Sequence, residues 1–339
     1  MKRLTIADIA QAAGVSTGAV SYALNGKPGV SPATRERVLR IADSLGWRPS
    51  NAARALTRDR VGALGLIVDR PAQVLGVEPF FMQLVAGIET ALRQDPSTAL
   101  TLQLTEDRAA ELDTYRRWWA ERRVDGVILV DLHADDPRLA LLTELGMPAV
   151  ALGLPQSPAV PCVWSDDDEP MREAVGYLAA LGHRRIARIA GPAVFTHTER
   201  RDAAFTGAAA EHQLEWSRTL HADYTADGGA RAARRLLSAR DRPTAMIFDN
   251  DVMALAAMAA TQEMGVAVPE QLSILSWDDS ALCQLVRPGV TAMDRHITRH
   301  GVLAVTTLNE VITAGTADHR QAPAPVLMPR ASTTRAPRD

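Results

Sequence analysis

Apolar residues recur at three- and four-residue intervals over the first 60 positions. Further on they gather into short runs separated by helical stretches. Ile6, Ile9, Ala10 and Ala13 follow Thr5, with Asp8 three residues after it, a capping-box start that predicts a short helix. Gly14 is placed to end that helix, because glycine takes a left-handed turn without a Cβ penalty. Ser16 caps a second helix, Thr17 to Asn25, with Val20 and Leu24 facing inward, and Asn25-Gly26-Lys27-Pro28-Gly29 breaks it. Ser31 and Pro32 open a third helix with Val38, Ile41, Ala42 and Leu45 as its inner stripe.

Past residue 60 the candidate strands are Ala63–Val68, Leu100–Leu104, Gly126–Val130, Ala149–Leu152, Arg185–Ala190, Ala245–Phe248 and Ser273–Ser276. Helical patterns such as Met82–Leu92 and Met171–Leu181 lie between most of them. This alternation predicts parallel sheets with helices on both faces. Two such lobes fit the length, with a cleft where the strand C-termini meet.

Charge divides the chain at the same place. Residues 1–60 hold ten basic and four acidic side chains, yet the whole chain carries −3, so the remainder is strongly acidic. A basic head on an acidic body suggests that the head meets a polyanion, although a solvated helical surface is also sometimes basic. The two cysteines, Cys162 and Cys283, lie too far apart in sequence for a disulfide framework or a thiolate metal site. Apolar runs all fall short of the roughly 18 residues a membrane span needs. The N-terminal stretch lacks a continuous apolar core, so a cytoplasmic protein without membrane attachment is expected.

Gly14-Val15-Ser16-Thr17-Gly18 satisfies G-x-S-x-G, a pattern that in some hydrolases carries a nucleophilic serine. A nucleophile elbow needs a buried strand before its serine; here a helix precedes it by one tight turn. Helix, glycine turn and helix at this spacing is helix-turn-helix geometry, whose second helix enters the major groove of DNA. By role, Thr17, Gly18 and Tyr22 face base edges, whereas Thr5, Ser16, Ser21 and Asn25 hold phosphates through hydroxyl and amide groups. For any one of these residues the plainer alternative is a solvated helix surface.

The stretch "LTIADIAQAAGVSTGAVSYALNGKPGVSPATRERVLRIADSLGWRPSNAARAL" resembles the head of a LacI/GalR-family regulator over nearly its full length. Two departures stand out, Tyr22 where the family often has arginine and Gly18 where a larger residue is common. The resemblance implies a hinge helix over residues 49–60. Asn51, Ala55 and Leu56 would reach the minor groove and Leu56 would act as an apolar wedge between base steps; an alanine-rich linker is the alternative. The body is similar to the family's effector domain in "VDGVILV", "REAVGYLAALGHRRIARIAGP", "ERRDAAF", "DNDVMALAAM", "VPEQLSILSWDDS" and "LMPRAST".

That resemblance implies an all-α three-helix helix-turn-helix head (residues 1–48) with the hinge helix. An α/β two-lobed periplasmic-binding-protein-like domain (61–339) follows, with parallel sheets and helices on both faces. Lobe one would span about 61–160 and 291–320 and lobe two the remainder. By position, Phe80, Phe81, Arg201, Tyr224, Asn250 and Asp278 would bind a small-molecule effector, a sugar being the family's commonest; Arg201, Asn250 and Asp278 could instead be structural partners of one another. Carboxylates, amides and arginine suit a polyol's hydroxyls, and aromatic faces suit its C–H side. The segment before Phe80, "VDRPAQVLGVEPFF", is longer than its family counterpart.

Asp166-Asp167-Asp168 reads as a cleft-edge loop rather than a cation site. His296 and His300, at i, i+4 spacing without a glutamate or third ligand, read as a solvated helix end. Neither a phosphate-binding loop nor a zinc-protease motif occurs, so no metal, cofactor or enzymatic activity is expected. The expected protein is a homodimeric repressor that binds pseudo-palindromic double-stranded operator DNA under effector control. A solute receptor fits a basic helical head badly, and a hydrolase lacks placed triad partners.

Overall fold

Local capping builds the first three helices: α1 (Ile6–Ala13), α2 (Thr17–Leu24) and α3 (Pro32–Ser44). The Asp8 carboxylate accepts from both the Thr5 N–H and the Thr5 hydroxyl at 2.7 Å. Gly14 closes α1 at φ 63°. Ser16 Oγ accepts from the Ala19 N–H at 3.2 Å to start α2, and Ser31 Oγ accepts from the Thr34 N–H at 3.3 Å to start α3. Helices this short are marginal alone in water. Burial of Ile9, Ala10, Ala13, Val20, Ala23, Val38 and Ala42 against one another holds them. On α2 the second buried position is Ala23, with Leu24 only half-buried. Leu45, expected inside, is 39% exposed because it lies past the last turn of α3.

The structure, a computed structural model, describes residues 4–47, 60–70 and 75–337. The chain divides into two units, Met1–Gly62 and Ala63–Asp339. The second unit holds two six-stranded sheets. The first contains β1 (Ala63–Asp69), β2 (Ala99–Thr105), β3 (Gly126–Leu129), β4 (Ala149–Leu152), β5 (Cys162–Trp164) and β11 (Arg320–Gln321). The second contains β6 (Arg185–Ala190), β7 (Trp216–His221), β8 (Ala245–Phe248), β9 (Ser273–Ser276), β10 (Thr291–Asp294) and β12 (Val326–Met328).

Their orders are β11-β5-β4-β3-β1-β2 and β12-β10-β9-β8-β6-β7, and every pair is parallel except β10 with β12. Each sheet thus reverses its winding between its first and third strands, β1/β3 and β6/β8. Such switch points leave a crevice beyond the strand C-termini.

Alternate strand residues face opposite helix layers, as the two-residue period requires. Leu64, Leu66, Val68, Ile128 and Val150 pack against α4 (Pro79–Leu92) and α12 (Ile297–Ala314). Ile67, Val127 and Leu129 pack against α5 (Arg108–Ala120) and α6 (Pro137–Leu145). In the second sheet Ile189, Met246, Phe248 and Ile274 meet α9 (Ala226–Leu237) and α10 (Asp251–Glu263). Ile186, Ile247 and Leu275 meet α7 (Asp168–Ala180) and α8 (Thr196–Glu211). A five-residue α11 (Ala281–Leu285) completes the helices.

The lobe division differs from that expected. β5 pairs with β4, so lobe one runs to Trp164 rather than about 160. β10 pairs with β9, so Thr291–Asp294 belongs to lobe two, and the chain returns to lobe one only for α12 and β11.

Candidate ligand cleft and DNA-facing helix

On α2, Thr17, Gly18 and Tyr22 are exposed and share one helix face, and Ser21 beside them is half-buried. Ser16, which is exposed, uses an acceptor lone pair as the cap, which leaves its hydroxyl proton free to donate. Asn25 Nδ2 donates back to the Ser21 carbonyl at 2.9 Å. The Tyr22 ring lies along Gly29, where a Cβ would come within 3.3 Å of it. The expected hinge contacts Asn51, Ala55 and Leu56 lie outside the described residues.

A cleft of about 900 Å³, its open mouth included, lies between the two sheets of the second unit. Lobe one contributes Arg70, Glu78, Phe80, Asp131 and Trp164, with His300 from α12; lobe two contributes His197, Tyr224, Asp249 and Asp278, with Arg295 from the crossover. The expected residues Phe80, Tyr224 and Asp278 are therefore together. Tyr224 Oη is 2.8 Å from His197 Nε2, and Asp278 accepts from Arg295 Nη1 at 2.8 Å.

Three expected ligand residues stand elsewhere. Phe81 is 1% exposed and belongs to the lobe-one core, edge-on to Phe80 at 5.2 Å. Consecutive helical residues point about 100° apart, so only one of the two faces the cleft. Arg201 sits just behind the cleft wall. Its Nε donates to Asp167 at 2.8 Å and its guanidinium lies 4.9 Å from the Trp277 ring centroid. Arg201 Nη2 and Asp167 Oδ1 have no hydrogen-bond partner among the described residues.

Asn250 turns away from the cleft altogether. Its Oδ1 caps α10 by accepting from the Met253 N–H at 2.9 Å, and its Nδ2 donates to the Tyr224 carbonyl at 3.0 Å. It is a structural partner of Tyr224, whose backbone sits in the left-handed region at φ 64°. Gly191 serves the same ring, because a Cβ there would fall 2.1 Å from Tyr224 Cζ.

His300, read as solvated, is instead buried on the cleft wall, and burial together with Arg295 pushes its imidazole down to about 4. Desolvation, then Arg201 and Arg295, holds His197 well below its ordinary range. Both imidazoles are therefore neutral at physiological pH. Arg70, Glu78, Asp131 and Arg295 were missed by sequence reasoning. Arg70 and Asp131 follow the C-terminal ends of β1 and β3, so the switch-point rule was the usable signal. Arg70 Nη2 donates to Asp131 at 2.7 Å, and its guanidinium lies 5.3 Å from the Phe195 centroid and 5.7 Å from that of Tyr224. Glu78 is 5% exposed, and burial, only partly offset by Arg70, pushes its carboxyl up to about 8.

Head and body together define a helix-turn-helix protein carrying a periplasmic-binding-protein-like domain. Residues 5–50 match the family described as bacterial regulatory proteins, lacI family, and residues 175–333 match the periplasmic binding protein-like domain. The chain is 35% identical to the HTH-type transcriptional regulator CelR of Thermobifida fusca, over 87% of each chain. A structure of a CelR–cellobiose complex superposes with a TM-score of 0.74 at 32% identity, covering 97% of this chain and all of that one. The lac repressor dimer bound to operator and the anti-inducer ONPF superposes with a TM-score of 0.85 at 26% identity, covering 98% of this chain and all of that one. The chain belongs to the lacI family and is a DNA-binding transcriptional regulator. Its relatives are regulators rather than enzymes. No helix among the described residues is long and apolar enough to cross a membrane.

Proposed function

We propose that the protein is a homodimeric repressor that binds a pseudo-palindromic operator and responds to a small sugar in the inter-lobe cleft. The observation that carries this reading is the cleft itself. Three aromatic side chains, Phe80, Trp164 and Tyr224, share it with Asp131, Asp278 and Arg295, the mixture that hydroxyl groups and C–H faces call for. The cellobiose complex of a relative supports a sugar, and the operator complex of another supports operator binding by a dimer, whose twofold a pseudo-palindrome would mirror. On the DNA side, Thr17, Gly18 and Tyr22 read base edges, Thr5, Ser16, Ser21 and Asn25 hold phosphates, and Asn51, Ala55 and Leu56 enter the minor groove.

A sugar changes DNA affinity only if it binds one lobe arrangement better than the other. The test is fluorescence anisotropy of the full chain on DNA selected from a random palindromic library, with and without cellobiose and maltose. The expected result is nanomolar binding with two chains per site, shifted at least tenfold by a sugar. Binding of one chain per site, or an affinity indifferent to every sugar tried, refutes the dimer or the effector part respectively. Leu56→Ala should weaken operator binding at least tenfold, and a change below twofold removes the wedge.

A further inference from the structure

We propose that the cleft selects an uncharged polyol and excludes phosphorylated or carboxylated sugars, and that Arg70 with Glu78 sets this selection. The inference rests on the cleft being the effector site.

Charge pairing carries the first half of the argument. Five arginines stand in or behind the cleft wall, and each already holds a carboxylate: Arg70 on Asp131 at 2.7 Å, Arg295 on Asp278 at 2.8 Å, Arg200 on Asp168 at 2.9 Å, Arg201 on Asp167 at 2.8 Å and Arg188 on Asp249 at 2.6 Å. A ligand phosphate would add negative charge to a wall that already sets four aspartates, Asp131, Asp167, Asp249 and Asp278, against three arginines, Arg70, Arg200 and Arg295. Glu78 adds no positive charge in either protonation state. With its carboxyl at about 8 it is neutral at pH 7, and once ionised it makes the wall negative.

Orphaned polar atoms carry the second half. Arg70 Nε and Glu78 Oε2 lie 3.7 Å apart, both buried, and neither has a hydrogen-bond partner among the described residues. A donor and an acceptor at that separation would share one hydroxyl, which accepts from the first and donates to the second once a small shift of either side chain admits it. A sugar hydroxyl can serve both atoms with Glu78 in either protonation state, whereas a phosphate or carboxylate oxygen, which only accepts, meets a like charge whenever Glu78 is ionised. Neither residue belongs to the effector set implied by the family resemblance. Both lie in "VDRPAQVLGVEPFF", the stretch between β1 and α4 that the family resemblance left unmatched.

The experiment is calorimetric titration of the full chain with cellobiose, maltose and glucose, each paired with its own 6-phosphate. At least one neutral sugar should bind, with its 6-phosphate at least thirtyfold weaker. Asp131→Asn, which frees the Arg70 guanidinium, should shrink that ratio at least fivefold. Arg70→Gln should weaken the neutral sugar at least tenfold, and it carries the test if Asp131→Asn does not fold. A 6-phosphate that binds within threefold of its neutral partner, and is lost in Tyr224→Ala, overturns the selection but leaves the cleft as the effector site. An unchanged ratio in folded Asp131→Asn, or unchanged neutral affinity in Arg70→Gln, overturns the role of Arg70. No binding by any probe, or binding indifferent to Tyr224→Ala, overturns the effector reading and this inference with it.

Discussion

Removing the Asn250 side chain separates a ligand contact from a structural one. Asn250→Ala leaves the Met253 N–H uncapped and the Tyr224 carbonyl without its donor. Loss of an N-cap costs about 1 kcal/mol. A buried acceptor left unpaired costs about 1–3 kcal/mol more, so the expected destabilisation is about 2–4 kcal/mol. For a unit the size of Ala63–Asp339, an unfolding entropy of about 2.1 cal/mol/K per residue converts each kcal/mol into about 2 °C of Tm. Scanning calorimetry should therefore show a loss of roughly 4–8 °C.

Asn250→Ser keeps an oxygen at the cap and loses only the bond to Tyr224, so it should recover about 2 °C of that loss. Sugar affinity should fall through Tyr224 alone. In a double-mutant cycle Asn250→Ala and Tyr224→Ala should then be strongly non-additive, because the first acts by misplacing the second. An Asn250→Ala protein with unchanged Tm and a loss of sugar affinity additive with Tyr224→Ala would refute this reasoning and return Asn250 to the ligand.

Glu78 holds a proton in the folded state that the unfolded chain releases above about 4.5, so folding stability is lost as pH rises toward about 8. The ceiling is on the order of 5 kcal/mol from that difference in pKa. The Tm advantage of Glu78→Gln over the parent should therefore grow between pH 5 and 8.5, and a constant offset would contradict it. Gly191→Ala pushes a Cβ into the Tyr224 ring and should cost at least tenfold in sugar affinity in a chain whose far-ultraviolet dichroism is unchanged. Ser16→Asp retains the cap on α2 but turns a carboxylate toward the phosphates. Operator affinity should fall at least tenfold with the head's stability held, whereas Ser16→Ala should lower that stability by about 1 kcal/mol. Equal operator affinities for the two variants would remove the phosphate role.

What was legible in the sequence was what is decided locally. Thr5, Ser16 and Ser31 start helices because their oxygens sit three residues from the N–H or acid they pair with, and α1 to α3 lie close to where that spacing puts them. Uniformly apolar runs such as Ala245–Phe248 became central strands. β7 left no such signature because it is an edge strand, with Ser217, Arg218 and His221 exposed. β5, β11 and β12 are two or three residues long, too short for any period to show. One local signal in the cleft was overlooked. An asparagine directly before Asp251-Val252-Met253 is a strong helix cap, and that is how Asn250 is used.

The rest of the cleft follows from pairing across the fold, which spacing along the chain does not reveal. Arg70 and Asp131 are 61 residues apart, as are Arg188 and Asp249, and Arg201 is 34 from Asp167. The first two pairs close only where β1 meets β3 and β6 meets β8, at the switch points, and the third joins α8 to the start of α7. Burying an unpaired guanidinium is costly enough that every arginine reaching this cleft had to find a carboxylate there. An arginine that the sequence offers as a free donor to a ligand is therefore, once folded, half of a neutral pair. Among the cleft-lining residues, Arg70 Nε, Arg200 Nε, Arg295 Nε, Glu78 Oε2 and Asp167 Oδ1 keep no hydrogen-bond partner among the described residues, three donors and two acceptors of the kind a polyol's hydroxyls can pair.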